Sequence, residues 1–351
     1  MLQKSDAAST PRTKVRSTFR SVALAGADAG RAWAIGPTKH HNRAKQGLRP
    51  FTFRERLRIK YKTAKAVFSY SRLIRDTPAV VIRRMGTEGL LANLLHVIEV
   101  LDRVRPDASV HVDWKLDGSE LGFRYGAVGS DVWSGLFLPI GTSSRPDALR
   151  ADYAVDFALW GTGKDHLSGK SLQDQRCAYH RTITKWIEVS NQNVLSRTQR
   201  IHADLIQGRF CLGVHRRVGN AWVANLQKDG RVPSLDKLLT RCDKVLQAEG
   251  GKDARIFLAT DDAEAADAFK SAFGCRLIVQ DNVKRTTASK QEVHRGDWQA
   301  LSLADAEDVL VDTLVLSRCN LLIHASSSIS TMASLLNPNL PLMRVYEEAG
   351  D

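Results

Sequence analysis

Five short apolar runs, "RFCLGVH", "ARIFLAT", "CRLIVQ", "NLLIHAS" and "PLMRVY", alternate in the second half of the chain with segments carrying apolar residues at helical spacing. A short run without polar alternation is buried on both faces, which is the environment of a parallel strand covered by helices. The pattern predicts a doubly wound α/β sheet whose helices begin near Ser234, Asp262, Ala304 and Ser328, with Ser234 as an N-cap. The same alternation occurs once earlier: "AVVIRR" reads as a strand, "GTEGLLANLLHVIEVLDRV" as a helix and "ASVHVDW" as a second strand. It weakens after Gly118, and helical segments follow around Ser171–Val189 and Val194–Ile206. Two Rossmann-like domains facing a cleft are expected, residues 78–200 and 201–351, with ligands outside the carboxyl ends of the strands.

The 351 residues carry 51 Lys and Arg against 38 Asp and Glu, a net charge of +13. Of these, 16 basic and 3 acidic residues lie in 1–65, so the remaining 286 residues hold 35 of each sign and are neutral. Basicity confined to one end argues against a nucleic-acid-binding body. Residues 1–50 are poor in large apolar side chains and read as a disordered basic arm, and 51–77 as a basic helical lead-in. The arm could meet an anionic membrane surface, an acidic polysaccharide or RNA, or stay solvated; its Arg-rich, acid-poor start also resembles a transit peptide. No apolar run reaches the length of a membrane span and no secretory core is visible, so a cytoplasmic protein, peripheral to a membrane through residues 1–65, is expected. Cys177, Cys211, Cys242, Cys275 and Cys319 lack metal-ligand or paired spacing and read as small buried hydrophobes in a reducing compartment.

Candidate chemistry gathers at the predicted strand ends. "GTGKDHLSGKS" nearly matches a phosphate-binding loop, but Gly163 and Gly169 are one residue too far apart to wrap a phosphate in backbone N–H groups. His215 and Arg217 are two apart at the end of "FCLGVHRR" and face the same side, with Arg216 opposite. A guanidinium there gives planar, permanently charged recognition of phosphate oxygens; a solvated arginine pair is the plain alternative. "IFLATDD" ends in Asp261 and Asp262, the latter placed to cap the next helix. Asp312 stands on an otherwise apolar helix face and must find a donor, which the N1–H and N2 amine of a guanine could supply. Ala325, Ser326, Ser327 and Ser328 then bring small and hydroxyl groups to a helix N-terminus, a ready anion site.

"GVHRR", "FLATDD" and "VLVDTLVLSRCNLLIHASSSIS", in that order, resemble the three motif regions of the GDP-fucose-dependent fucosyltransferases. The alpha-1,6 group, which includes the core and nodulation-factor enzymes, is the nearest, and the spacing from Asp312 to Ser328 matches it without a gap. Protein O-fucosyltransferases are more distant. The likeness covers about residues 205–340, is looser over 78–140 through "MGTEGLLANLLHVIEVLDRVRPDASVHVDWKLDG", and does not reach the arm. It implies an inverting, metal-independent glycosyltransferase of GT-B fold that uses a GDP-sugar donor and a glycan acceptor, with no cofactor. Arg217 would then bind the donor diphosphate and be the catalytic group, and Asp312 with His215 would contact guanine. Ser326, Ser327 and Ser328 would hold phosphate or ribose oxygens, and Asp261 and Asp262 would match the acidic pair of the second motif.

Three positions depart from that pattern. Val218 replaces a second arginine, Asn220 an aspartate, and Asn225 stands where some members place a catalytic glutamate. The base is therefore unassigned, with Asp229 and Glu292 as candidates. A non-catalytic nucleotide-sugar-binding relative, and an RNA- or membrane-binding protein driven by the arm, are the competing readings. The segment "KRTTASKQEVHRGDW" is expected to cover the donor.

Overall fold

β-Branched and aliphatic runs give two parallel sheets in the computed structural model, which describes residues 72–84, 89–117, 125–141, 149–150, 171–217, 234–281, 283–286, 301–324 and 327–344. The basic arm, the lead-in up to residue 71 and the loop at 161–170 lie outside the described residues. The first sheet has the order β2–β1–β3, from β1 (Ala79–Arg83), β2 (Ser109–Asp113) and β3 (Leu149–Arg150). The crossover from β1 to β2 is α1 (Leu90–Leu101), an apolar helix buried on all sides. A short helix α2 (Val132–Leu136) brings Trp133 edge-on against Trp114, with ring centroids 5.1 Å apart.

Two longer helices follow, α3 (Leu172–Trp186) and α4 (Gln192–Ile201), capped by the side chains of Ser171 and Asn191. The second sheet comprises β4 (Cys211–Arg216), β5 (Arg255–Thr260), β6 (Leu277–Val279), β7 (Leu321–His324) and β8 (Leu342–Arg344). Its order is β6–β5–β4–β7–β8, all parallel, so the chain winds outward in one direction from β4 and then returns to wind in the other. The crossovers are α5 (Leu235–Val245), α6 (Ala263–Phe273), α7 (Leu303–Leu316) and α8 (Ser328–Leu336). Their starts fall where the sequence pattern places them, with Ser234, Asp262, Ser302 and Ser327 as N-caps.

One face of this second sheet is covered by α5 and α6 over a core that includes Leu212, Ile256, Leu258 and Phe269. The other face belongs to a core that also takes in the first half, joining Val80, Leu94, Trp114 and Trp133 to Phe257, Leu310, Leu322 and Ala333. Polar links run along that seam. Arg176 on α3 donates to the carbonyls of Ser334, Asn337 and Leu340, and Asn191 donates to Glu307 on α7 at 2.8 Å. Close approach is built in at Gly213, where an added Cβ would lie 3.1 Å from Cys319 Sγ and from Leu316 Cδ2.

The cysteines are only partly the buried set expected. Cys211, Cys242 and Cys319 are buried, with the sulfurs of Cys211 and Cys319 3.7 Å apart as free thiols, but Cys177 is half-buried and Cys275 exposed. Cys275 lies in the one-turn helix Gly274–Arg276 after α6, which the apolar pattern around it did not reveal. Among the described residues no helix is long and apolar enough to cross a membrane.

Candidate functional site

The winding direction reverses between β4 and β7, and in open sheets the crevice at the carboxyl ends of such a strand pair is where ligands bind. Here the register sets His215 on β4 beside His324 on β7. Both rings are buried. Ser327, the N-cap of α8, comes three residues after the end of β7, and its hydroxyl lies 3.1 Å from His215 Nδ1. That hydroxyl also accepts from the Ser330 N–H, so the cap and the histidine share one oxygen. Burial, then the charge of Arg217 and the neighbouring His324, hold the His215 imidazole down at about 3, so it is neutral across the physiological range.

Arg217 is half-buried at the residue after β4. Its charge acts on His215 and on Tyr125, in the first half of the chain. Tyr125 is buried, and its hydroxyl accepts a long 3.5 Å hydrogen bond from the Leu90 N–H at the start of α1. Burial pushes its phenol up to about 12 against the pull of that N–H and of Arg217. The charge of Arg217 is thus felt in both halves. Tyr125 carries no motif signal, and only the fold brings it here.

Arg216 points away from His215, as the strand alternation requires, and its Nε meets Asp262 Oδ2 at 3.4 Å. Asp262 Oδ1 accepts from the Glu264 N–H at 3.1 Å, which makes it the N-cap of α6. Both carboxylate oxygens of Asp262 are engaged within the protein, so its direct task is to fix the β5–α6 corner and Arg216. Asp261 is half-buried at the same corner, and its carbonyl accepts from the Thr286 N–H at 2.8 Å. This seats the first residues of the "KRTT" segment on the strand ends; Lys284 is tied there to Asp305 at 3.0 Å. Residues 287–298 of the segment lie outside the described residues, as do Val218, Asn220, Asn225, Asp229, Glu292 and Ser326. Ser328 is the first residue of α8 and half-buried.

Asp312 belongs to a second cluster. It is buried on α7 and accepts from Gln280 Nε2 at 2.6 Å; no described group bonds its other oxygen. Burial raises its carboxyl to about 7, with Gln280, Arg285 and Arg197 working to lower it and Asp308 to raise it. Among the described residues no hydrogen bond connects Asp312 to His215. The donor it needs is therefore already partly supplied by Gln280, a residue without a sequence signature. Among the described residues no group of three or more His, Cys, Asp or Glu side chains is arranged to hold a metal ion.

A doubly wound parallel sheet with buried polar groups at its switch point is the arrangement in which open α/β sheets hold their ligands. No family model matches the sequence, and no curated protein is significantly similar to it. Solved structures similar in fold include the NodZ alpha-1,6-fucosyltransferase soaked with GDP-fucose, at 17% identity and a TM-score of 0.47, over 74% of this chain and 92% of that one. The fucosyltransferase NodZ from Bradyrhizobium gives 15% identity and a TM-score of 0.47 over the same shares. POFUT1 in complex with GDP-fucose gives 11% identity and a TM-score of 0.35, over 55% of this chain and 51% of that one. Likeness of this degree assigns no role to any residue.

Proposed function

We propose that this chain is an inverting, metal-independent glycosyltransferase that moves fucose, or the sugar of a close GDP-sugar, from its nucleotide donor to a glycan acceptor. The observation that carries the reading is the switch point itself, where the buried His215 meets the capping hydroxyl of α8 and Arg217, the residue after β4, bears its charge on His215 and on Tyr125. Residues 78–200 and 201–351 serve as the acceptor-side and donor-side units of a GT-B enzyme. His215 and Asp312 take the guanine, Arg217 the diphosphate, and Ser326, Ser327 and Ser328 its phosphate or ribose oxygens. Asp261 lines the donor site, and Asp262 acts on it through Arg216.

In the transfer the acceptor oxygen bonds to the anomeric carbon as the bond to the β-phosphate oxygen breaks. The bonding pair stays on the phosphate, and the acceptor proton passes to a base, with Asp229 and Glu292 as candidates. A preorganised guanidinium is worth most where that charge develops. The neutral His215 suits the task because it adds no charge of its own and can still donate or accept at the ligand. Residues 1–65 supply a cationic arm for peripheral contact with an anionic membrane or polysaccharide from the cytoplasmic side.

Labelled GDP-, UDP- and ADP-sugars incubated with the full chain test this, with transfer, donor hydrolysis and binding followed together. Guanine-selective binding with turnover is expected, and Arg217→Ala should lower turnover by about a hundredfold or more while leaving the melting temperature nearly unchanged. Binding without preference for guanine sinks the reading. Guanine-selective binding with no turnover on any acceptor identifies a non-catalytic relative instead, which the changed positions Val218, Asn220 and Asn225 would explain.

A further inference from the structure

We infer that Gln280, clamped by Arg197, is a positioning residue that presents the Asp312 carboxylate to the base of the bound nucleotide; this rests on the donor reading above. Gln280 follows β6 at the carboxyl edge of the sheet and is buried. Its amide nitrogen donates one hydrogen bond to Asp312 Oδ1 at 2.6 Å and another to the Asp308 carbonyl at 3.1 Å. Its amide oxygen accepts from Arg197 Nη2, and the same nitrogen reaches Asp308 Oδ1 at 2.6 Å. Its backbone carbonyl accepts from Arg285 Nη2 at 2.6 Å.

Both protons and the oxygen of the amide are therefore committed. Turning it over would set NH2 against a guanidinium and oxygen against a carboxylate, so a single orientation survives. Arg197 comes from α4 and Asp308 from α7, so the clamp is closed by an element outside the strand–helix unit that carries Gln280. A packing role alone would not call for a polar side chain with every valence assigned.

The consequence falls on Asp312. Its Oδ1 is fixed by Gln280, and its Oδ2 has no hydrogen-bonding partner among the described residues although the side chain is 94% buried (relative exposure 6%). This oxygen is not one of the sealed, unpartnered atoms of the interior, so it is open to a ligand whose N–H groups it can accept. The N1–H and N2–H pair of guanine has the matching geometry, whereas adenine would turn the lone pair of N1 toward the same oxygen. Only the ionised carboxylate accepts both N–H groups. The groups that face it are Gln280 and Arg285 from the β6 edge, Arg197 from α4 and Asp308 from its own helix; the first three favour the ion and Asp308 opposes it. Removing the amide therefore disfavours ionisation, and nucleotide binding should need a higher pH.

Isothermal titration of the full chain with GDP, IDP and ADP between pH 5.5 and 8.5 tests this. For the wild type, GDP affinity should rise with pH and flatten above neutrality, IDP (which lacks the N2 amine) should bind more weakly, and ADP least. In Gln280→Met, whose side chain keeps the length without the amide, the flattening should move up by a unit or more. GDP would then bind about tenfold more weakly near pH 6.5, with the gap to wild type narrowing by pH 8.5. Arg197→Gln, which releases the amide oxygen, should shift the profile in the same direction by less. A folded Gln280→Met with the wild-type profile, or one weakened by the same factor at every pH, overturns the role of Gln280. Unfolding of both variants, seen by circular dichroism, makes the network structural and also overturns it. Wild-type protein that binds none of the three nucleotides fails the donor reading itself, before any variant is compared.

Discussion

Burial removes His215 from the groups that titrate near neutrality and moves Asp312 into them. The two shifts have opposite consequences for stability. The Asp312 carboxyl rises from 3.8 to about 7 on folding, so below pH 4 it is protonated in both states and costs nothing. Between about pH 4 and 7 the unfolded chain ionises first, and stability is lost as pH rises; above 7 the loss is complete, on the order of 4 kcal/mol. Asp312→Asn keeps an acceptor for Gln280 and has no proton to lose. Urea unfolding should find it more stable than wild type at pH 8 by a few kcal/mol, with the difference closing by pH 4. A difference that does not change with pH would mean that the carboxyl is not desolvated as described. Single residues were unevenly legible in the sequence. His215 and Arg217 stood out because two residues on one strand share a side, whereas Gln280, Arg197 and Tyr125 come from separate elements and meet only after folding.

At the scale of elements the periodicities carried most of the information. Apolar runs located all five strands of the second sheet, and Ser234 and Asp262 marked helix starts through their capping chemistry. The pattern could not tell that Asp262 would spend its second oxygen on Arg216, because that pairing depends on how β4 and β5 lie in register. It was equally silent about Gly213, where α7 and the turn after it come close to β4. An alanine there meets Cys319 Sγ and Leu316 Cδ2 at 3.1 Å, closer than ordinary packing allows, and the backbone of β4 cannot retreat between two paired strands. Gly213→Ala should cost about 1–3 kcal/mol in urea unfolding. Adding Cys319→Ala to it removes the sulfur and should recover part of that loss, as a double-mutant cycle would read. Full additivity of the two changes would show that the contact is not what constrains the site.

The whole molecule joins two parallel sheets through one apolar core. Leu310, Leu322 and Ala333 from the second half pack in the same cluster as Leu94, Trp114 and Trp133 from the first. Helices α3 and α4 strengthen the seam with Arg176, Asn191 and Arg197, each bonded to groups after residue 279. The candidate site depends on this, because the charge of Arg217 acts on Tyr125 across the seam only while the two sides stay together. Separate domains would each need a closed apolar interior, and the shared cluster leaves neither half with one on this face. Unfolding should therefore be a single cooperative step. In a variant with Trp33, Trp160, Trp186, Trp222 and Trp298 replaced by Phe, fluorescence of the Trp114–Trp133 pair reports the first half, and reaction of the buried Cys242 thiol, on the inner face of α5, reports the second. The two urea midpoints should coincide with that of far-ultraviolet circular dichroism. An earlier fluorescence transition, with Cys242 still protected, would show that the halves melt independently and that the core between them is too weak to hold Arg217 in place.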